Sequence, residues 1–324
     1  MQGRHFRISL LLLAAGSCAG PVAHAQTWPA KSLRFVSPYA PGGGTDILAR
    51  VLAQKLGENL GVNVVVENRS GGGGLIGTDL VAKAPPDGNT LMLGTPSPIT
   101  VAPFLHKKMP YDPLRDLTPV TIITLVPAVV TVLPSLPAKT VKELLALARA
   151  KPGAMTFSSS GNGGTAHLAG LMLQTMAGLE MTHVPYRGTG PALTAVMSGE
   201  VTFTAGNILS ALPMVKSGRL RAMAVTSEKR SPVLPDVPAV AETLPGYAAG
   251  PFYGVLGPGG MSVDLTARIR NELVKIIHSS DMKSRLAAEG GEAYGSTPEE
   301  FAALLRAETA RWGKVIKAAK IQPE

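Results

Sequence analysis

The chain has 324 residues, 45% hydrophobic and 16% charged, which excludes a disordered polymer and allows one large domain or two of ordinary size. Its 36 glycines and 27 prolines make it loop-rich without reaching low complexity. A single cysteine excludes an intrachain disulfide, a cysteine-based zinc cage and an iron–sulfur cluster, while the net charge of +9 favours anionic partners without naming them.

Residues 1–25 read as an export signal. Arg4, His5 and Arg7 form a basic start, Ile8 to Ala15 an apolar run, and Pro21 breaks the helix before the small-x-small site Ala23-His24-Ala25. As a helix, that run reaches roughly 12 Å, against a hydrocarbon core of roughly 30 Å, so a membrane anchor is the weaker reading. Cys18 could be a lipidated cysteine, but the leucine usual three places earlier is missing, and a lipoprotein is also the weaker reading. Cleavage after Ala25 removes Cys18, Arg4 and Arg7. No later segment offers the roughly 18 uninterrupted apolar residues of a membrane span, so the product is expected to be soluble and exported.

Beyond residue 26, short apolar strands alternate with helical patterns. Leu33 to Val36 reads as a strand, followed by a Pro/Gly loop and a helix from Asp46 to Leu56. Val62 to Val66 is a second strand, then come glycines and a helix from Leu75 to Ala82. Pro85-Pro86-Asp87-Gly88 is a turn, and Thr90 to Leu93 a third strand. Val120 to Leu133 is a β-rich run interrupted by Pro127, and Val141 to Ala150 an amphipathic helix with Leu144, Leu145 and Ala148 on one face. The pattern then repeats. Thr156-Phe157 leads into Ser158 to Thr165 and a helix to Met176. Thr182 to Pro185 leads into Tyr186 to Pro191 and a helix to Met197. Val201 to Thr204 leads into Ala205-Gly206-Asn207 and a helix to Lys216. Ser231 to Pro251 reads as connecting structure, Phe252 to Leu256 as a strand, Val263 to Ile277 as a helix and Pro298 to Lys320 as a terminal helix. On that last helix Phe301, Leu305, Trp312, Val315 and Ile316 share one docking face. The repetition predicts two similar α/β lobes, residues 26–124 plus 248–324 forming lobe 1 and residues 125–247 lobe 2.

Gly72-Gly73-Gly74-Leu75-Ile76-Gly77 satisfies G-x-G-x-x-G, but the acidic residue that should end the next strand is missing, so a tight strand–helix connection is the preferred reading. No G-x-S-x-G, H-E-x-x-H or P-loop motif occurs. His106, His167, His183 and His278 lack ligand spacing. Catalytic residues, a metal and a cofactor are therefore not expected. Lys and Arg are dispersed and aromatics few, which argues against nucleic acid.

The sharper signal is the set of loops that open helices, where unpaired N–H groups and a partial positive charge attract anions. One is Pro38 to Asp46, with Gly42, Gly43 and Thr45 at the helix start and Tyr39 placed to cover a ligand's aliphatic chain. Asp46, an acid in an anion site, is expected to act as an N-cap or to hold a water rather than touch the ligand. Another runs from Ser159 to Thr165 through Ser160, Asn162 and Gly163. A third is Arg187 to Pro191, with Arg187 as the charge partner. Two such loops in separate lobes could grip both ends of a dicarboxylate.

These residues match a family pattern. Trp28-Pro29, Pro38 to Asp46, Val66-Glu67-Asn68-Arg69, Pro86-Asp87-Gly88 and Pro110-Tyr111-Asp112-Pro113 resemble its first lobe. Ser160-Gly161-Asn162-Gly163 with His167-Leu168, and His183 to Gly188, resemble the second. Leu234 to Pro238 and Thr297 to Phe301 complete it. The chain resembles the Bug family, periplasmic substrate-binding proteins of tripartite tricarboxylate transporters, over residues 28 to 320. The resemblance implies a type II-like two-lobed binding protein, each lobe a mixed sheet flanked by helices, closing a cleft on a small carboxylate. It implies a monomer that hands an organic acid to membrane permease subunits; a ligand sensor docking to a membrane kinase is the alternative. The loops carried over are Tyr39 to Asp46, Ser158 to Thr165 and Tyr186 to Gly190. Relatives often place an acidic residue before the asparagine that is here Asn207. Gly206 in that place favours a plain di- or tricarboxylate over a ligand with an amino group.

Overall fold

The computed structural model describes residues 28–186, 188–288, 290–319 and 321–323, so residues 1–25, expected to be an export signal, with Cys18, and Arg187 lie outside the described residues. The chain begins with β1 (Ser32–Ser37), α1 (Gly44–Leu60), β2 (Asn63–Asn68), α2 (Leu75–Ala82) and β3 (Thr90–Gly94). A π-type turn, Ser97–Val101, runs into the short α3 (Ala102–Leu105), and β4 (Leu117–Leu125) follows. Next come β5 (Ala128–Val132), α4 (Val141–Ala150), β6 (Thr156–Ser159), α5 (Thr165–Ala177), β7 (Thr182–Pro185) and α6 (Thr189–Met197). The chain continues with β8 (Phe203–Asn207), α7 (Ile208–Lys216) and β9 (Arg221–Val225). It ends with β10 (Phe252–Pro258), α8 (Val263–Ile277), α9 (Ser280–Ala288) and α10 (Pro298–Ala318).

Two five-stranded sheets result, in the orders β2-β1-β3-β10-β4 and β7-β6-β8-β5-β9. In each, three parallel strands joined by helices meet an antiparallel pair. Both sheets therefore follow one plan, the two-lobed mixed α/β architecture. The first sheet is covered on both faces. Leu33 and Phe35 pack under α1 and α8, while Val36, Met92 and Leu256 pack with Phe301 and Leu305 of α10. Phe157 and Phe203 carry the second sheet's core beneath α4 and α5.

The long last helix does not dock along one core. Phe301 and Leu305 lie in the first lobe's core, whereas Trp312 and Ile316 are buried among second-lobe residues such as Leu168 and Met172. Its start is fixed by a capping box between Thr297 and Glu300.

Strand β8 is shifted from the expected Val201 to Thr204. Pairing with β5, which sets Ala128 opposite Asn207, draws Gly206 and Asn207 out of the expected loop into the strand. Likewise Ser158 and Ser159 belong to β6, paired with β7 up to Pro185, rather than to the loop after it.

Gly254 on β10 lets Phe301 rest directly on the strand, because a Cβ there would overlap its ring. Gly254→Ala is expected to destabilise the protein by about 1–3 kcal/mol through overpacking, read as a lower urea midpoint.

Candidate functional site

Helices α1, α2, α5 and α6 all start on glycine, at Gly43, Gly74, Gly164 and Gly188, and none of these starts has a side-chain cap. Elsewhere, α4, α8 and α10 begin at Thr140, Ser262 and Thr297, whose hydroxyls each accept a first-turn N–H. The uncapped four follow β1, β2, β6 and β7, so they gather at the carboxyl ends of the parallel strands. A missing cap leaves first-turn donors and the positive end of the helix dipole open to an incoming anion; at α2, however, the Leu75 and Ile76 N–H groups are already answered by the Gly72 and Gly71 carbonyls of the preceding turn.

The first lobe's loop is pinned by Asp46, the third residue of α1. Its carboxylate accepts from the Gly42 N–H at 3.0 Å, Arg50 Nε at 3.1 Å and Asn68 Nδ2 at 2.9 Å. The N-cap is therefore Gly43, not Asp46 as expected from sequence, and Asp46 reaches back over it. Burial pushes the Asp46 carboxyl up, but hydrogen bonds from Arg50, Gly42 and Asn68 outweigh it and hold it below the usual carboxylate range. Asn68 also donates to the Tyr39 carbonyl at 3.1 Å. Beside it, Glu67 grips Arg34 at 2.8 Å and Arg69 at 2.9 Å, bonds that lower its carboxyl to about 2. The Tyr39 hydroxyl meets Thr95 Oγ1 at 2.8 Å and donates toward the Gly73 carbonyl at 3.3 Å, to which Ser97 also donates at 2.9 Å.

The second lobe's loop uses a histidine in the same place. His167, the third residue of α5, accepts the Gly163 N–H on Nδ1 at 2.9 Å. Gly42 and Gly163 both adopt positive φ, +85° and +72°, the left-handed turn each loop makes before its helix. The ring of His167 stacks on His183 at 4.0 Å, and His183 Nε2 meets Ser159 Oγ at 2.6 Å. Ser159 in turn bridges the Gly161 carbonyl and N–H at 2.9 and 3.1 Å. Burial, with a smaller push from His183, lowers His167 to about 3, and burial lowers His183 to about 4.

The second lobe's loop meets the first lobe at the turn after β2 and at residues 97–105. A Cβ on Gly73 would stand 3.1 Å from the Asn162 carbonyl oxygen, and one on Gly163 2.9 Å from Leu105 Cδ1 and 3.4 Å from Ser97 Oγ. Farther along, Asn207 Nδ2 donates to the Tyr253 hydroxyl, linking β8 to β10. Of the residues singled out in the sequence, Gly42, Gly43, Thr45, Asn162, Gly163 and Thr165 lie at helix starts, Tyr39 and Ser160 beside them. Ser158 is wholly buried and donates to the Ala192 carbonyl at 2.9 Å, tying β6 to α6. Gly206 is buried in β8. Sequence reading missed Thr95, Ser97, Tyr253 and the Ser159–His183 contact, because these are joined by the fold and not by spacing. Among the described residues there is no group of three or more His, Cys, Asp or Glu able to hold a metal, and no helix long and apolar enough to cross a membrane. A surface hollow of about 470 Å³ lined by Trp28, Leu60 and Arg268 lies apart from the helix starts.

Residues 48–321 match the sequence model of the tripartite tricarboxylate transporter family receptor. The chain is 35% identical to protein BugT of Bordetella pertussis over 309 residues, 95% of this chain and 94% of BugT. It superposes on R. palustris Rpa4515, solved with adipate, with a TM-score of 0.87 and 36% identity, covering 92% of this chain and 100% of that one. MatC from Rhodopseudomonas palustris, solved with bound malate, gives a TM-score of 0.84 and 30% identity, covering 89% and 100%.

Asp46→Ala is expected to loosen the first loop, leaving Gly42 and Asn68 without their acceptor and costing about 1–3 kcal/mol in urea unfolding. The two histidines give the pH dependence. Both have folded values below the ordinary 6.5, so the unfolded chain binds more protons below that pH. Stability is complete above about 6.5 and falls as pH drops toward 4, with a slope approaching about 1.4 kcal/mol per pH unit for His167. Urea midpoints measured from pH 7.5 to 4.5 check this, and His167→Asn should reduce the slope.

Proposed function

The chain belongs to the tripartite tricarboxylate transporter receptor family, the Bug family of solute-binding proteins, and on that premise we propose that it captures a small dicarboxylate between its lobes for delivery to a membrane permease. Its family and structural neighbours are binding proteins rather than enzymes. The observation that carries the reading is the contrast between helix starts: glycine without a side-chain cap after β1, β2, β6 and β7, against threonine- or serine-capped starts at α4, α8 and α10.

A carboxylate placed there receives charge-assisted N–H bonds from helix starts of both sheets, in a space the lobes shield from water. Glycine keeps side chains out of the path of the anion. In this reading Gly43, Thr45, Asn162, Gly163 and Thr165 present the donors, Tyr39 and Ser160 flank the ligand, and Arg187 adds charge. Asp46 shapes the loop without touching the anion, since its oxygens are already engaged. Gly206 and Asn207 line the far side, and the acid is taken as free of an amino group. The adipate and malate found in relatives make a diacid of four to six carbons the first class to test. Residues 1–25 serve as the export signal, cleaved after Ala25, and the mature protein acts as a periplasmic monomer.

Calorimetry with malate, adipate, citrate and the monomethyl ester of adipate tests the proposal. The expected outcome is one-to-one binding of a diacid with loss of affinity for the half-ester. Binding of a neutral or cationic solute, with none of the acids, overturns it.

A further inference from the structure

We propose that His167 is a positioning residue that builds the second lobe's ligand loop by acting as an uncharged acceptor, its proton held on Nε2 and its Nδ1 bare. The proposal rests on reading residues 160–165 as a ligand loop. It goes beyond that reading by assigning the loop's shape to one ring nitrogen.

The two lobes match at these loops. In each, the third helical residue reaches back to the N–H of the glycine before the N-cap: Asp46 to Gly42 at 3.0 Å, His167 to Gly163 at 2.9 Å. In the first lobe the acceptor is a carboxylate, and one turn later Arg50 neutralises it at 3.0 Å. The equivalent position in the second lobe is Leu171, which is buried. A carboxylate at 167 would have no cation there, would lie buried, and would repel the anion this loop receives. A neutral imidazole makes the same hydrogen bond at no charge cost.

Neutrality is also built in from the other side. His167 stacks on His183 of β7 at 4.0 Å with planes 19° apart, an arrangement two imidazolium rings would oppose. β6 and β8 bring Phe157 and Phe203, without ionisable groups, to the same cluster. On α10, Glu308 accepts from the indole of the buried Trp312 and pairs with Arg311 at 2.7 Å. A second proton on His167 would set an Nδ1–H against the Gly163 N–H, two donors facing each other, and the loop would have to open. His183 extends the device through Ser159 to both backbone groups of Gly161.

Two substitutions separate this role from simple packing. The asparagine amide sets its oxygen one bond from Cγ, where Nδ1 stands, and the glutamine amide sets it two bonds away, where Nε2 stands. With adipate and malate as probes at pH 7.5, His167→Asn is expected to keep affinity within about threefold and His167→Gln to lose at least about tenfold. Imidazole ¹⁵N spectra of the unsubstituted protein should show His167 with Nε2 protonated and Nδ1 bare. Glutamine binding as tightly as histidine, asparagine failing as badly as glutamine, or a protonated Nδ1 overturns the proposal. If the unsubstituted protein binds a neutral or cationic solute and none of the acids, the transport reading falls, while the nitrogen spectrum still decides the role of His167.

Discussion

A helix that starts without a cap has donors that must be answered by something in front of it. Here the starts of α1, α5 and α6 stand at the ends of parallel strands in the two sheets, and the rest of the molecule is arranged to keep them there. The strands end in step because both sheets share one order and one set of parallel pairings. The turns leading to α1 and α5 are glycine in left-handed conformations, which bring backbone forward where a side chain would stand. Hydrophobic burial supplies the stability, and the open helix ends are the polar groups that this stability holds in place.

The two lobes reach that geometry by different chemistry. The first uses a charge and its counter-charge, Asp46 and Arg50, and adds the Glu67 clamp on Arg34 and Arg69 to fix the end of β2. The second uses rings, with Phe157, Phe203, His167 and His183 stacked beneath the loop and serine bridging to the backbone. One loop is therefore held by partly exposed electrostatics that salt weakens, the other by a buried stack that salt barely reaches. The lobes should respond unequally to ionic strength even though their topology is the same.

Much of this was legible before any coordinates. Helices Leu75–Ala82, Val141–Ala150 and Val263–Ile277 fell where apolar period and flanking turns place them, because local pattern and tertiary packing agree there. The glycine turns before α1 and α5 are legible for the same reason: their composition is demanded by local backbone geometry. What stayed hidden depends on distant partners. Strand Arg221–Val225 has a weak alternating signal and exists through its pairing with β5. Helical residues 97–105 are rich in Pro and β-branched side chains, and only packing on α10 and the first sheet settles them. Asp46, an acid in an anion-binding loop, suggests an N-cap or a group holding a water, but Gly43 takes the cap position and Asp46 reaches back over it. His167 reads in sequence as a packing or hydrogen-bonding residue, and no spacing marks the backbone amide that its ring meets.

Helix α10 is rooted in the first lobe at Phe301 and Leu305 and in the second at Trp312 and Ile316. A binding protein that swings open on two bare crossover strands is free to gape. One splinted by a rigid rod across the joint has a limited stroke. Its halves turn only as far as the rod can bend or roll with both ends seated, since withdrawing a buried tryptophan would cost several kcal/mol, of order 3–5. The separation the two lobes can reach is thus limited by a helix whose buried residues are seated in both cores.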